Sequence, residues 1–305
     1  MRPGTRCYGG PSRGDSEPNA SSEQDGHEPV VSGVYRAGMR LGQLRLFRAL
    51  GSGGMGSVWI AEHLGLHMPV AVKFLREQFL TCDGAVARMQ REAAAAARIR
   101  SPHVVQIFDL QVTIEGIPYI VMELLEGESL EDHLAWRGHL TLDETAAIVR
   151  QVGAALTKAH DLGIVHRDIK PENVFLLDGE PEIFVKVLDF GVALDLSDRT
   201  GTRLTIDGAL VGTPSFMSPE QMIGCEVIGP AADVWALGVV VYRCLTQSLP
   251  YAGDNVAAIA IAVDRGPPEP ASTYVPDLPP SIDAWLMRSL EPRPERRFCD
   301  PRAAV

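Results

Sequence analysis

One loop carries the residues whose types and spacing could do chemistry. Residues 166–173 read HRDIKPEN, and a DFG triplet begins at Asp189. Asp168, Asn173 and Asp189 could bring a base and metal ligands to one phosphate, and Lys170 would supply a cation between them. Oxygen donors of this kind suit Mg²⁺ rather than Zn²⁺. The sequence therefore predicts a phosphoryl-transfer centre at this loop.

The composition excludes several other classes of protein. The 305 residues include 28 Lys and Arg against 39 Asp and Glu, a net charge of −11, which disfavours nucleic acid as a partner. The longest apolar run, Val234 to Val241, is far shorter than the roughly 20 residues of a membrane helix. The five cysteines are scattered without zinc-site spacing, as expected of reduced thiols. We therefore expect a cytoplasmic protein with no membrane segment in this chain, and a membrane anchor beyond residue 305 stays open.

Hydrophobic patterning divides the chain into three parts. Residues 1–38 are rich in Gly, Pro, Ser and charge, which predicts a disordered tail. Five strand-like runs follow, with one Ala-rich helix at Ala85 to Arg100. The later pattern is helical, and Thr141 begins a sequence with the spacing of a helix-capping box. The sequence therefore predicts an α+β chain, with a small lobe at about 39–125 and a larger, mainly α lobe at about 126–305.

Two motifs of the small lobe are ambiguous on their own. The GSGGMG run from Gly51 to Gly56 also opens dinucleotide-binding folds, but those need a helix directly afterwards, whereas Val58 and its neighbours favour a strand. The alternative is a flexible lid whose backbone amides cover phosphates. Lys73 could pair with Glu92 of the helix and hold a phosphate, or could lie on an edge strand and reach to water. Glu92 could equally face solvent beside neighbouring arginines, and sequence spacing does not choose between these arrangements.

Six motifs together carry a family resemblance. In chain order they are GxGxxGxV, AVK, HRDIKPEN, DFG, GTPxxMSPE and DVWALG, and this series resembles that of the eukaryotic-like (Hanks-type) protein kinases. The glycine loop, LGSGGMGSVW, is most similar to that of the bacterial serine/threonine kinases. The resemblance covers Leu41 to the end and implies a two-lobed kinase domain at 39–305, with an antiparallel β-sheet and one helix in the small lobe. It also implies a closing helix that this chain would contain only in truncated form.

The resemblance gives each residue of the loop a role. Asp168 would orient the hydroxyl of a protein substrate, and Lys170 would steady the γ-phosphate of ATP. Asn173 and Asp189 would bind Mg²⁺, with Mn²⁺ as an alternative. Lys73 would hold the α- and β-phosphates. The other ATP-binding residues that it implies are Gly51, Ser52, Gly53, Gly54, Met55 and Gly56 of the glycine loop, Val58, Ala71, Met122 and Phe175 around the adenine, Glu123 and Leu125 of the hinge, and Glu92. For Met122 an ordinary core position stays open.

Substrate class and regulation are implied in the same way. Lys170, two residues after the catalytic Asp, and the GTP triplet at 212–214 are typical of kinases that phosphorylate Ser and Thr. The Thr-rich segment between DFG and SPE would be an activation loop, with Thr205, and also Thr202, as regulatory phosphosites. Arg167 would bind the added phosphate. The expected partners are ATP and protein substrates, with a homodimer left open as the arrangement for autophosphorylation.

Five further residues are implied to be structural. His166 and Phe190 would belong to a buried stack that couples the helix of the small lobe to the catalytic loop. Asp233 would accept hydrogen bonds from the backbone of that loop. Glu220 would pair with Arg297, and both partners of such a buried ion pair are costly to remove singly.

Two other functions stay open beside a protein kinase. One is a pseudokinase, an ATP-binding scaffold without transfer, although the residues implied in nucleotide and metal binding are all present. The other is a small-molecule phosphotransferase of kinase-like fold, which would lack the 212–220 segment that docks a peptide. An assay of Mg²⁺-dependent phosphate transfer separates the first alternative from a kinase.

Overall fold

Six antiparallel strands form the sheet of the small lobe. The computed structural model describes residues 35–53, 56–75, 90, 93–94, 96–180, 182–190 and 214–304, with the backbone alone for Ser52, Gly53 and Leu75. The strands are β1 (Arg40–Leu41), β2 (Leu44–Gly53), β3 (Gly56–His63), β4 (Met68–Leu75), β5 (Ile107–Val112) and β6 (Pro118–Glu123). Their order across the sheet is β1-β2-β3-β4-β6-β5. The five predicted strands are confirmed, and the two-residue β1 is too short to leave a pattern in the sequence.

Strand β4 shows how the sequence sets the two faces of this sheet. Successive side chains of a strand point to opposite faces, so Val70, Val72 and Phe74 share one face and Ala71 and Lys73 share the other. The first three are buried in an apolar cluster that also contains residues of β2, β3 and β6. The second face therefore presents an alanine and a lysine toward the second lobe.

A second, three-stranded sheet contains the hairpin that follows the loop at 166–173. It consists of β7 (Gly127–Ser129), β8 (Val174–Leu177) and β9 (Val185–Val187), in that order and antiparallel. Buried residues alternate with partly exposed ones along β8 and β9. One face of the hairpin is therefore fixed in the core, and the other remains available to the site.

The second lobe is mainly helical, as predicted. Its helices are α1 (Leu130–Arg137), α2 (Leu142–His160), α3 (Pro219–Met222), α4 (Ala231–Thr246), α5 (Val256–Asp264), α6 (Pro280–Ser289) and α7 (Pro301–Ala304). Short 3₁₀ turns lie at Pro171–Asn173, Pro214–Phe216, Ala271–Thr273 and Pro294–Arg296. In the predicted helix at 85–100, Gln90, Ala93, Ala94 and Ala96 are helical, whereas residues 97–100 are not, so the helix ends before its predicted end.

Local sequence explains where α2 begins. Thr141 is its N-cap, and its hydroxyl accepts from the amide of Glu144 while the Glu144 carboxylate accepts from the amide of Thr141. This is the predicted capping box. The hydrogen bond from the Thr141 backbone holds the pKa of Glu144 below its ordinary value. The box therefore satisfies two backbone donors that the first helical turn would otherwise leave open.

Helix α4 is the centre of the second lobe. It is buried along almost its whole length, so it reads as an apolar run rather than an amphipathic helix. Gly238 lets α6 approach, because a Cβ at this position would lie 2.9 Å from the Cβ of Ser289. Helix α4 begins two residues before Asp233, which places that carboxylate beside the catalytic loop. In the described part of the chain, no helix combines the length and apolarity needed to cross a bilayer.

Candidate active site

One buried carboxylate, that of Asp233, binds the backbone of the loop at 166–173. Asp233 accepts hydrogen bonds from the backbone amides of His166 and Arg167, each at 2.8 Å, and from Nε2 of His160 at 2.7 Å. Arg167 has a φ of 67°, in the left-handed region that costs a non-glycine residue about 1–3 kcal/mol. Asp233 therefore stabilises a loop conformation that the local sequence does not favour, as the resemblance implied.

Three predicted residues of the loop come together at Asp168. The amide nitrogen of Asn173 donates to the backbone oxygen of Asp168 at 2.8 Å and to its Oδ2 at 3.0 Å. Nζ of Lys170 lies 2.8 Å from the same Oδ2. Both bonds of Asn173 use its nitrogen, so they do not consume the side-chain oxygen, which is the atom a metal ion would bind. The structure thus orients the Asp168 carboxylate and keeps oxygen donors beside it.

Asp189 faces Lys73 across the cleft between the two sheets. Nζ of Lys73 lies 2.6 Å from Oδ1 of Asp189, and about a third of the Asp189 side chain is accessible. Burial acts to raise the pKa of Asp189, but the charge and hydrogen bond of Lys73, with a smaller effect of Lys170, outweigh it and leave the pKa below its ordinary value. Asp189 is therefore a carboxylate at neutral pH, ready to bind a cation.

Lys73 lies on an interior strand of the six-stranded sheet. Strand β4 lies between β3 and β6, so the interpretation of Lys73 as an edge-strand lysine is wrong. Glu92 lies outside the described residues, and its pairing with Lys73 stays a prediction. The contact with Asp189 joins residues 116 positions apart, and no pattern in the sequence indicated it.

His166 is fixed as a structural residue by its hydrogen bonds. Its Nε2 donates to the backbone oxygen of Leu188 at 2.8 Å, and its Nδ1 accepts from the amide of Asp168 at 3.2 Å. The ring meets Phe190 edge to face, with centroids 4.6 Å apart. With one nitrogen donating and the other accepting, the neutral imidazole has no nitrogen left to act as a base. This is the predicted contact between His166 and Phe190.

The glycine loop joins two strands of the sheet. Its described part pairs Gly51 with Val58, Ser52 with Ser57 and Gly53 with Gly56. Gly54 and Met55 lie outside the described residues. Because β3 follows directly as a strand, the dinucleotide-binding interpretation, which requires a helix there, is wrong.

The predicted adenine-pocket residues lie on neighbouring strands. Val58 is opposite Lys73, and Ala71 is opposite Met122. Met122 is only partly buried. Phe175 lies on the face of β8 opposite to its buried residues. Glu123 ends β6, and Glu123 and Leu125 are both partly buried.

The ion pair between Glu220 and Arg297 is present and bidentate. Nη1 and Nη2 of Arg297 donate to Oε1 and Oε2 of Glu220, each at 2.8 Å. Arg297 also donates to the backbone oxygens of Ala231, Glu291 and Pro292. Its guanidinium carbon lies 5.0 Å from the centre of the Trp235 ring. The pair joins α3 to the segment after the last 3₁₀ turn, and the bond to the Ala231 oxygen connects that segment to the start of α4.

Besides the contact between Lys73 and Asp189, three contacts of the site were not predicted from the sequence. Gln221 donates from Nε2 to the backbone oxygen of Arg167 at 2.8 Å, His160 binds Asp233 as described above, and Lys186 binds Glu123, a predicted hinge residue. Each joins residues far apart in the chain, so only the folded structure could show it. The sequence contained one weak indication for Lys186: lysine is rare in this chain, and two of its four lysines lie in the motifs.

The predicted phosphosites, Thr202 and Thr205, lie outside the described residues. Arg167, the predicted receiver of their phosphate, has a buried Nε without a hydrogen-bond partner among the described residues. That nitrogen is suited to an anionic partner.

Comparisons with known proteins agree on one family. The family described as protein kinase domain matches residues 44–299. Serine/threonine-protein kinase Pkn1 of Myxococcus xanthus is 39% identical over 287 residues, which is 93% of this chain and 40% of that protein. Serine/threonine-protein kinase PknD of Mycobacterium tuberculosis is 39% identical over 268 residues, 87% of this chain and 39% of that protein. This chain therefore spans less than half the length of these relatives.

A solved structure supports the same assignment. The crystal structure of the Mycobacterium tuberculosis PknI kinase domain has a TM-score of 0.70 and 29% sequence identity, covering 88% of this chain and 96% of the solved one. The two-lobed arrangement of sheet and helices is thus shared with a protein kinase domain.

Proposed function

Since the chain belongs to the protein kinase domain family, we propose that it transfers the γ-phosphate of ATP to Ser and Thr hydroxyls of proteins. One observation carries this proposal. The fold pairs Lys73 with Asp189 and brings Lys170 and Asn173 onto Asp168, and the charge of Lys170 helps to lower the pKa of Asp189. These are the groups that phosphoryl transfer requires, because it depends on positioning and charge neutralisation more than on covalent chemistry.

The donor set fits magnesium. Asp189 offers a carboxylate with a lowered pKa, and Asn173 offers an amide oxygen. The described residues contain no group of three His, Cys, Asp or Glu side chains that could hold a metal on its own. Mg²⁺ is typically bound through one or two protein oxygens with phosphates and water, and Asn173 and Asp189 would hold it in this way. Bound Mg²⁺, or Mn²⁺, would neutralise charge that develops on the phosphate oxygens.

Asp168 would orient the acceptor hydroxyl. Its Oδ2 accepts from both Lys170 and Asn173, so Oδ1 is the oxygen left to meet a substrate. Lys170 would move from this contact toward the transferred phosphate, and Lys73 would hold the phosphates of the bound nucleotide. The acceptor class rests on Lys170 and on the relatives, whose names are those of serine/threonine-protein kinases.

Regulation and organisation belong to the same proposal. Residues 39–305 act as the kinase domain behind a tail at 1–38, and the protein works in the cytoplasm, where ATP is available. Phosphorylation at Thr205, and also at Thr202, orders the activation loop through Arg167, whose Nε is unpartnered among the described residues. Two copies in a homodimer supply substrate and enzyme for this autophosphorylation. Phosphopeptide mapping of active protein that finds the loop unmodified would overturn this part.

The experiment that tests the function is a transfer assay with labelled ATP. The protein is incubated with Mg²⁺, γ-labelled ATP and casein as a generic acceptor, and the product is hydrolysed for phosphoamino-acid analysis. We expect label on Ser and Thr, its loss in Asp168→Asn, and retained ATP binding in that variant. A wild-type protein that binds ATP but transfers no label would favour the pseudokinase instead. Label found only on a small molecule would favour the small-molecule phosphotransferase.

A further inference from the structure

An ion pair connects the predicted hinge to the hairpin formed by β8 and β9. Nζ of Lys186 lies 2.8 Å from Oε1 of Glu123, and the two side chains are 14% and 23% exposed. Glu123 ends β6 in the six-stranded sheet, and Lys186 lies in the middle of β9 in the three-stranded sheet. The pair is therefore a direct side-chain link between the two sheets that enclose the nucleotide cleft.

Lys186 lies beside the predicted floor of the adenine pocket. It is the cross-strand partner of Phe175, and directly opposed residues of antiparallel strands project from the same face at about 4.5–5.5 Å between Cβ atoms. The neighbours of both residues, Val174, Leu176, Val185 and Val187, are buried on the other face. The aliphatic stem of Lys186 thus flanks Phe175, and its ammonium reaches the hinge.

Glu123 is fixed from a second direction. Its Oε1 also accepts from the backbone amide of Gln106 at 2.6 Å, and its own amide donates to the backbone oxygen of Gln106 at 3.0 Å. The segment that leads to Gln106 is in turn bonded to β9, through Val105 donating to Val187 and Val187 donating to His103. Hinge, connecting segment and β9 therefore form a closed ring of contacts, and the Lys186–Glu123 pair completes it.

The carboxylate depends on both donors. One oxygen of Glu123 serves a backbone amide and an ammonium, so removal of the ammonium leaves a largely buried charge with a single donor. Such a carboxylate gains by turning toward water. The end of β6 would then lose its fixed distance from Phe175, and the hinge backbone would no longer face the adenine in one position.

We propose that Lys186 and Glu123 are positioning residues for nucleotide binding, which fix the distance between the hinge backbone and Phe175. Their side chains need not touch ATP. This inference rests on the proposed function for the location of the adenine. It predicts a defect in recognition of the base, with the phosphate and metal groups around Asp168 and Asp189 unaffected.

The first test is the split between KM and kcat. Lys186→Met should raise KM for ATP about 5–10-fold, equivalent to about 1.0–1.4 kcal/mol, with kcat within about twofold of the wild type. Lys186→Arg, which keeps the cation, should restore KM to within about threefold. The matched control is Lys158→Met, because Lys158 is an exposed lysine of α2 in the same lobe, and its KM should not change.

A second comparison isolates the pair. Glu123→Gln should raise KM in the same direction while keeping an oxygen for the Gln106 amide, and the double variant with Lys186→Met should be no worse than the worse single variant. Glu62→Gln is the control, since its carboxylate is 22% exposed and is also ion-paired, but to Arg45 within one sheet. Additive losses in the double variant would overturn the proposal.

A binding measurement separates positioning from a general loss of structure. Displacement of a fluorescent ATP analogue gives Kd for Mg–ATP and the inhibition constant of Mg–tripolyphosphate, which has no adenine. Lys186→Met should weaken ATP about 5–10-fold and leave tripolyphosphate unchanged. Equal weakening of both, or ATP affinity within twofold of the wild type, would overturn the inference. If the wild type binds ATP without transferring phosphate, the proposed function fails, while this comparison still decides the role of the pair.

Discussion

Replacing Asp233 with Asn should weaken both the fold and the reaction. The carboxylate is fully buried and accepts three hydrogen bonds, from His166 N and His160 Nε2 to one oxygen and from Arg167 N to the other. An amide whose oxygen keeps the first two bonds points its NH₂ group at the Arg167 amide. The Arg167 amide and the new NH₂ group are then two donors that face each other without an acceptor, and an unsatisfied buried donor costs about 1–3 kcal/mol.

The loss of charge adds to this cost. Hydrogen bonds to an ionised acceptor are about twice as strong as neutral ones, so the two bonds that remain are also weakened. We expect the free energy of unfolding to fall by about 2–4 kcal/mol, a large share of the 5–15 kcal/mol typical of a domain. If about 2 kcal/mol of this falls on the loop conformation at Arg167, kcat falls about 30-fold.

Two assays measure these effects on the same preparation. Urea unfolding followed by tryptophan fluorescence gives the free energy of unfolding, and transfer to a generic acceptor at saturating ATP gives kcat. Asp283→Asn is the control, because Oδ1 of Asp283 accepts one backbone amide, that of Ser272, and an amide can retain that bond. An Asp233→Asn variant with the urea midpoint and kcat of the wild type would refute the role given to this carboxylate.

Three further substitutions test other parts of the structure. Arg297→Met should lower the free energy of unfolding by about 3–5 kcal/mol in urea, because it leaves its carboxylate partner buried and unpaired, whereas the exposed Arg296→Met should change it by less than about 0.5 kcal/mol. Gly238→Ala should cost about 1–3 kcal/mol, because the added Cβ would meet a Cβ of α6 at 2.9 Å; an unchanged Tm would contradict this packing. Lys73→Met should reverse the way in which stability depends on pH in the acid range. In the wild type, the lowered pKa of Asp189 contributes stability that is present above the ordinary Asp pKa and is lost as the pH falls through the folded-state pKa. Without Lys73, burial raises that pKa, so the contribution of Asp189 to stability should fall with rising pH, and Tm measured against pH would show the difference.

The sequence predicted what local chemistry determines. Asp168 and Asn173 were located because a base, a cation and a metal ligand must lie within one short loop. The start of α2 was located because Thr141 and Glu144 satisfy each other's backbone donors. In each case the physical cause lies within a few residues, so the sequence contains it.

Contacts between distant parts of the chain were not predictable in this way. Lys73 meets Asp189 across 116 positions, and Lys186 meets Glu123 across 63. A lysine in a strand has the same local pattern whether it reaches water or a carboxylate of another sheet. Its partner is set by the relative placement of the two sheets, which depends on packing throughout the chain.

Backbone strain at the site shows why these distant contacts matter. Arg167 and Asp189 have φ angles of 67° and 56°, and each such conformation costs a non-glycine residue about 1–3 kcal/mol. Neither is supported by its own neighbours alone. Asp233 of α4 holds the amide of Arg167, Gln221 of α3 holds its carbonyl, and Lys73 of β4 holds the carboxylate of Asp189. Because the support comes from three other elements, loosening of any one of them should allow the site to relax before the fold is lost, and activity should therefore be more sensitive than stability to changes in the scaffold.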